Sequence, residues 1–251
     1  RNYLLHHVAF YKALNEVDRS LFEKRILLFL QTTQVLGNGV EIEQSDRLLV
    51  AAGAIIPVWK FIDWHYFNLK EVILVPSSFN EASQFGLPDS RIQGMVGTGP
   101  MSGKMILSKP ALHHGFSNSK DKRNVAIHEF SHLIDMADGD CDGFPERLSE
   151  FAFCMPWFDL MYKKMQQIDN HQSNINAYGA TNKVEFFAVA TEYFFERPGM
   201  LRKKHPQVYE ALKDFYQQDI ADIKHDIKPR KKDPCPCGSG KRYKRCCLPT
   251  K

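Results

Sequence analysis

The stretch His128-Glu129-Phe130-Ser131-His132 is the most informative part of this chain. Histidines four residues apart lie on one face of a helix, so both imidazoles can bind the same metal ion. The glutamate after the first histidine is then placed to act as a general base on water that the metal activates. The stretch therefore predicts a zinc-dependent hydrolase with His128 and His132 as ligands and Glu129 as the base.

The residues on either side of this stretch predict a buried helix. Apolar side chains recur through residues 124–138, before and after the two histidines. Asp135 lies three residues past His132, on nearly the same helical face. A carboxylate there can accept a hydrogen bond from a ligating imidazole and fix its tautomer, so Asp135 is predicted to support the metal site. The alternative is an ordinary helix with two surface histidines.

A third protein ligand is needed, because a catalytic zinc binds three side chains and keeps its fourth position open. Residues 183–196 are predicted to form an apolar helix that Thr181 or Asn182 caps. This helix carries Glu185 and Glu192, seven residues apart on one face. A carboxylate buried there needs a partner, which a metal would supply. Spacing leaves both glutamates as candidates, beside the alternative that Glu185 only belongs to the helix N-terminus.

Two phrases, HEFSHLID at 128–135 and YGATNKVEFFAVATEYFFE at 178–196, resemble the Mlc titration factor A family of bacterial zinc peptidases. They also resemble, more distantly, the protease domain of anthrax lethal factor. The resemblance covers roughly residues 5–220 and implies a zincin-type peptidase, with aminopeptidase activity on short substrates. It further implies the residue roles: zinc ligands His128, His132 and Glu185, base Glu129, and Tyr178 facing the substrate seven residues before Glu185.

The pattern of apolar residues predicts an α+β fold that is mainly helical, with a small sheet beside the metal-binding helix. The third predicted strand comes shortly before that helix. In zinc peptidases of this type the edge strand beside the helix pairs with extended substrate, although a sheet edge can also bind nothing. His113 and His114 are predicted to be solvated loop residues. Helices are predicted at 3–35 (two, with a break at 15–18), 48–56 (capped by Ser45 and Asp46), 146–167, 183–196 and 205–218, and strands at 72–75, 91–96 and 104–108.

The end of the chain carries a second metal signal. Four cysteines with the spacing C-x-C-x8-C-C can close a tetrahedral zinc site that leaves no open position for catalysis: Cys235, Cys237, Cys246 and Cys247. The segment resembles the SEC-C motif, which is found at the C-terminus of a bacterial protein-translocation ATPase. Its implied role is docking to a protein, ribosome or nucleic acid, and the alternative is a stabilising tail without a partner.

These signals divide the chain into a peptidase domain at 1–220, a linker at 221–233 and a zinc module at 234–248. The net charge of +4 comes from the end of the chain, because residues 224–251 contain ten Lys or Arg and two Asp. Clustered cysteines favour a metal site in a reducing compartment over a disulfide framework, so we expect a cytoplasmic protein. The longest apolar run, 48–59, is too short to cross a bilayer.

The sequence therefore supports a zinc peptidase with one catalytic and one structural zinc, acting on peptide or protein substrates. Two alternatives stay open at this stage. The first is a regulatory protein-binding module whose peptidase site is latent or vestigial. The second is a zinc hydrolase of another substrate class.

Overall fold

The computed structural model describes residues 1–97, 99–118, 121–145 and 154–225, together with Arg242 and Arg245. These residues form an α+β architecture in which helices pack against one small sheet. The predicted linker and zinc module lie outside the described residues, except for the two arginines and the start of the linker. The helices are α1 (Asn2–His7), α2 (Ala9–Ala13), α3 (Glu16–Thr32), α4 (Gln44–Ile55), α5 (Lys109–Ser117), α6 (Val125–Asp135), α7 (Cys154–Asp169), α8 (Lys183–Glu196), α9 (Pro198–Lys204), α10 (Pro206–Tyr216) and α11 (Ile220–His225).

The sheet is mixed and contains four strands in the order β1-β2-β4-β3. Strands β1 and β2 pair in parallel, as do β2 and β4, whereas β3 pairs antiparallel with β4. One face of the sheet joins the main core through Val72, Leu74, Met105 and Leu107, all fully buried. The opposite face covers a smaller apolar cluster around Phe79. The strands are β1 (Gln34–Gly37), β2 (Leu69–Val75), β3 (Gly94–Val96) and β4 (Gly103–Ser108).

All three predicted strands are present, but the strand that was expected at the edge of the sheet lies inside it. The strand after Gly103, β4, lies between β2 and β3. The edge strand that packs against α6 is β3, because the chain reverses at a short 3-10 turn, Gly99–Met101, and places β3 outside β4. The sequence also gave no sign of β1, in which Val35 is the only buried residue.

The predicted helices are present with shifted boundaries. The break at 15–18 is a short one at Leu14 and Asn15, and a further break at Val8 separates α1 from α2. The predicted helix at 146–167 is seen as α7, and its residues before Cys154 lie outside the described residues. Three helices were not predicted: α5, α9 and α11.

The cap of α4 differs from the predicted one. Glu43 is the N-cap, and the Asp46 carboxylate accepts a hydrogen bond from the Glu43 backbone N–H at 2.7 Å. Asp46 is fully buried and also binds His113 Nε2 at 2.6 Å and Lys109 Nζ at 3.0 Å. His113 therefore belongs to α5 and has a partner, so the prediction of a solvated loop histidine was wrong.

Helix α6 lies inside the molecule, in contact with α4, α5, α8 and β3. Its Phe130 side chain packs edge-on against Phe29 at 5.8 Å and lies 5.1 Å from Tyr66. On another side, α4 approaches so closely that a Cβ atom on Gly53 would lie 2.6 Å from Ala126 Cβ. The surrounding core thus fixes the position of the helix that carries both histidines. Among the described residues, no helix is long and apolar enough to span a membrane.

Candidate metal centre and active site

The first turn of α6 fixes the direction of the helix that carries the two histidines. Asn124 is the N-cap, and its side-chain oxygen accepts a hydrogen bond from the Ile127 N–H at 3.2 Å. His128, Glu129 and His132 are all buried, with 9%, 5% and 7% of their surface exposed. Three titratable side chains in an apolar interior are costly unless they have partners. The partners of the two histidines come from α8, and Glu129 has a backbone partner in Val96 of β3.

Helix α8 supplies a carboxylate between the two imidazoles. Asn182 caps this helix by accepting the Glu185 N–H at 2.9 Å, which places Glu185 in its first turn. Glu185 Oε2 lies 3.0 Å from His128 Nε2 and 3.7 Å from His132 Nε2. One potential ligand atom from each residue lies within 4.8 Å of the other two. The structure thus brings Glu185 next to the two histidines, although it lies 57 residues after His128 in the sequence.

The donor set fits a zinc ion. Tetrahedral zinc with bonds of about 2.1 Å places its ligand atoms about 3.4 Å apart. The two separations from the Glu185 oxygen, 3.0 and 3.7 Å, lie on either side of this value, and all three ligand atoms lie within 4.8 Å of one another. Two imidazole nitrogens and one carboxylate oxygen are a common ligand set for catalytic zinc, because three protein ligands leave one position open.

Glu192, the other candidate third ligand, binds the opposite side of the same imidazole. His128 Nδ1–H donates to Glu192 Oε1 at 2.8 Å, and the Asn124 backbone N–H donates to Glu192 Oε2 at 2.6 Å. The first bond holds a proton on Nδ1, so that Nε2 can offer its lone pair to a metal once the metal displaces the proton shared with Glu185. Sequence reasoning weighed Glu192 only as a ligand and missed this supporting role. The sequence signal that could have indicated this role is the seven-residue spacing between Glu185 and Glu192, which places both carboxylates on one face of the helix.

The pKa values of the two histidines shift in opposite directions. Burial lowers the pKa of His128, but the charge of Glu192 and hydrogen bonds to Glu185 and Glu192 outweigh it and raise that pKa well above its ordinary value. Burial and the adjacent His128 lower the pKa of His132 to about 3. A neutral His132 is what metal binding requires. Its Nδ1 atom has no hydrogen-bond partner in the part of the chain that the structure describes.

Glu129 lies under the edge strand β3. A Cβ atom on Gly94 would lie 2.5 Å from Glu129 Oε1 and 2.7 Å from Val125 Cγ2. Only glycine therefore allows the strand to approach the helix at this level. Burial raises the pKa of Glu129 to about 7, the charges of Glu185 and Glu192 add to the rise, and His128 and the Val96 backbone oppose it. A carboxyl group with a pKa near neutrality can both accept and return a proton.

The comparison with known protein families agrees with this geometry. Residues 1–217 match the family described as glucose-regulated metallopeptidase M90. The chain belongs to the M90 metallopeptidase family. This family corresponds to the resemblance stated from the two sequence phrases, which is thereby confirmed.

Relatives of this M90 chain occur in several bacteria. An uncharacterized protein of Synechocystis sp. is 32% identical over 220 residues, which cover 83% of this chain and 80% of the relative. Mlc titration factor A of Escherichia fergusonii is 27% identical over 221 residues, covering 83% and 78%. Mlc titration factor A of Salmonella arizonae is 27% identical over 205 residues, covering 76% and 80%.

Tyr178 borders the candidate metal centre of this M90 chain from a short 3-10 helix, Ala177–Ala180. Its ring centroid lies 6.0 Å from that of His128, and 52% of its surface is exposed. Burial of the hydroxyl, followed by the charge and hydrogen bond of Glu185, raises the Tyr178 pKa to about 12. The hydroxyl therefore keeps its proton at neutral pH and can donate a hydrogen bond beside the site.

Asp135 does not make the hydrogen bond that its position predicted. Its Oδ2 atom accepts the Gly143 backbone N–H at 2.9 Å and lies 3.5 Å from Cys141 Sγ. Its Oδ1 atom, like His132 Nδ1, has no hydrogen-bond partner among the described residues. In this structure Asp135 fixes the loop after α6, and Glu192 is the carboxylate on a histidine.

The C-terminal segment of this M90 chain matches a second family. Residues 232–249 match the SEC-C motif, which confirms the second resemblance. All four cysteines predicted to bind a structural zinc lie outside the described residues.

Proposed function

We propose that this protein is a zinc-dependent peptidase whose catalytic zinc is bound by His128, His132 and Glu185. The observation that carries the proposal is the convergence of these three side chains, with ligand atoms within 4.8 Å, in a member of a metallopeptidase family. Zinc bound there would supply a Lewis acid and lower the pKa of a water molecule to about 7.

Glu129 is proposed as the general base and acid. It is buried, lies next to the ligand His128 in sequence, and shares the α6 helix with both histidines. In the reaction its carboxylate takes a proton from the attacking water and returns that proton to the leaving amine. Zinc held by the three ligands would lower the pKa of Glu129, which would favour the ionised form that accepts the proton.

Tyr178 and Glu192 are proposed to support the reaction. The Tyr178 hydroxyl is protonated, half-exposed and close to Glu185, so it can donate a hydrogen bond to the oxyanion that forms from the peptide carbonyl. Glu192 holds the His128 ring in the orientation that directs Nε2 at the metal position. Asp135 is proposed to act only indirectly, by holding the loop after α6 through its hydrogen bond from the Gly143 N–H.

The test is hydrolysis of a mixed peptide library by the zinc-loaded protein and by the Glu129→Gln variant. We expect the variant to bind zinc as the wild type does and to lose peptidase activity by a factor of about 10³ or more. Glu81→Gln, an exposed glutamate between β2 and β3, is the matched control and should keep full activity. Full activity in Glu129→Gln would contradict the proposed role.

The substrate is proposed to be a peptide that extends along β3 and is cleaved from its N-terminus. Strand β3 is the sheet edge beside Glu129, so it has backbone groups that an extended peptide can pair with. Aminopeptidase action is supported by the family resemblance alone. If it is correct, acetylating the N-terminus of a good substrate should abolish its cleavage, whereas an endopeptidase would cleave both forms.

A second candidate function is regulation by binding another protein. Two of the relatives above are named as titration factors of Mlc, a name that describes binding rather than catalysis. Such a protein would keep its fold and bind its partner even when the metal site is disabled. Zinc-loaded wild type that cleaves no peptide in the library would favour this candidate.

The SEC-C segment is proposed to bind a second, structural zinc through Cys235, Cys237, Cys246 and Cys247 and to dock on a partner. Ten basic residues between 224 and 251 would favour an acidic partner surface, such as a ribosome, nucleic acid or protein. Reduced thiolates are needed, which suits a cytoplasmic location. We expect two zinc ions per chain in the wild type and one when Cys246 and Cys247 are both changed to serine.

A further inference from the structure

A groove of about 470 Å³ opens beside the proposed active site. It lies between the residue before β3, the end of β4, the helix α5 and the first residue of α6. Its volume is within the range of small-molecule sites and would accommodate one or two amino-acid side chains. Its lining includes Ser77, Ser78, Gln93, His114, Arg123 and Val125.

Val125 connects this groove to the proposed catalytic base. Val125 and Glu129 are four residues apart on α6, so their side chains lie on the same face, about 6 Å apart along the axis. Gly94 touches both of them from β3. An extended peptide advances about 3.3 Å per residue, so a substrate side chain about two residues from the cleaved bond would reach the groove.

The basic residues that line the groove are Arg123 and His114, and no lining residue is acidic. Among the described residues, no ion pair or hydrogen bond involves the Arg123 guanidinium. The nearby Asp121 carboxylate is engaged otherwise, since it accepts the Arg123 backbone N–H at 3.2 Å and lies 3.5 Å from His114 Nδ1. The serine hydroxyls and Gln93 add neutral hydrogen-bonding groups to the lining. This chemistry matches a carboxylate, which a guanidinium binds through two parallel hydrogen bonds.

We propose that the groove binds a carboxylate of the peptide substrate and that Arg123 is its counter-ion, which makes Arg123 a specificity-determining residue. The inference rests on the proposed peptidase function and adds the class of substrate to it. The carboxylate can come from an Asp or Glu side chain or from the C-terminus of a short peptide. These two sources have the same chemistry, and the experiment separates them.

The experiment compares kcat/KM for peptides that differ in one group. One pair carries Glu or Gln at each position near the cleaved bond, and a second pair ends in a free acid or an amide. We expect one charged member to be preferred by roughly tenfold, the usual size of a charged hydrogen bond. Arg123→Gln should remove this preference, and Arg123→Glu should replace it by a preference for Lys at the same position.

Lys24→Gln is the matched control. It removes one exposed positive charge from α3, outside the groove, and should leave the preference unchanged. If the wild type cleaves the peptides but does not distinguish their charged and neutral members, the inference is wrong and the peptidase proposal stands.

If the wild type cleaves none of the peptides, the peptidase proposal fails and binding decides the inference. Fluorescence anisotropy of the labelled Glu and Gln peptides would then be measured on the wild type and on Arg123→Gln. Binding of the Glu peptide that is stronger by about tenfold and lost in the variant would support the groove. Equal binding of both peptides would overturn it.

Discussion

The first and third turns of α8 carry the same residue type in opposite roles. Glu185 faces Nε2 of His128 at 3.0 Å, where a metal would bind, and Glu192 faces Nδ1 of the same ring at 2.8 Å. One glutamate is partly exposed at the site, and the other is buried and also binds the α6 backbone. Two turns of one helix therefore separate a proposed ligand from the residue that orients a ligand.

The largest expected effect comes from removing the proposed ligand. Glu185→Gln should weaken zinc binding at the catalytic site by more than about 100-fold, because a neutral amide is a poor zinc ligand and the metal would keep only two protein ligands. Competition with a chelator of known affinity measures this, in protein with the Cys246 and Cys247 thiols replaced by serine. Unchanged affinity would break the distinction between the two glutamates.

Glu192→Gln should weaken zinc binding less, by about 10- to 100-fold, since the ligand remains but its orientation is lost. The same change should cost roughly 1–3 kcal/mol in the free energy of unfolding, because the Asn124 N–H loses its carboxylate acceptor. Chelator competition and urea unfolding give the two values. A loss of affinity as large as that of Glu185→Gln would mean that Glu192 acts as a ligand.

Asp135→Asn should change zinc affinity by less than about threefold, because Asp135 bonds to Gly143 and to neither histidine. It serves as the control for Glu192→Gln, as both changes remove one buried carboxylate near the site. The zinc affinities of the two variants, measured by the same chelator competition, would show which carboxylate supports the metal site. A tenfold loss would restore the role that the sequence suggested for Asp135.

A further contrast concerns the free energy of unfolding instead of zinc affinity, at a buried histidine whose partner is an amide and not a carboxylate. His205 Nε2 binds Asn174 Oδ1 at 2.7 Å, and burial with three nearby lysines lowers its pKa to about 4. The fold keeps His205 neutral, so its contribution is complete above the unfolded pKa of about 6.5 and is lost as pH falls toward 4, by roughly 1–3 kcal/mol.

His205→Gln should flatten this acid limb of the stability curve, measured by urea unfolding at several pH values. The Glu185→Gln background prevents metal loss from contributing to the curve. His65→Gln, at an exposed position, is the control and should leave the slope unchanged. An acid limb that keeps its slope in His205→Gln would show that another group controls it.

The local features of the site could be predicted from sequence because they depend on helical spacing. Four residues of separation place His128 and His132 on one face whatever surrounds them. Spacing could not choose between Glu185 and Glu192, since both reach the same imidazole from one helix. Nor could it show that Gly143, in the following loop, would compete for the Asp135 carboxylate.

The fold was predictable where apolar residues recur over many positions, as in α6 and α8. It was not predictable where tertiary pairing decides the structure. Strand β1 has one buried side chain and depends on its parallel partner β2. The order of β3 and β4 depends on the direction in which the chain turns at Gly99–Met101, which apolar periodicity does not encode.

The contact between Gly53 and Ala126 has a consequence for inherited variation. These residues lie on helices whose backbones almost touch, and neither side chain is a proposed ligand or base. A bulkier residue at either position would push α6 away from α4 and shift the two imidazoles relative to Glu185. Genetic screens for temperature-sensitive loss of activity should therefore recover substitutions at this distant contact as well as in the site itself.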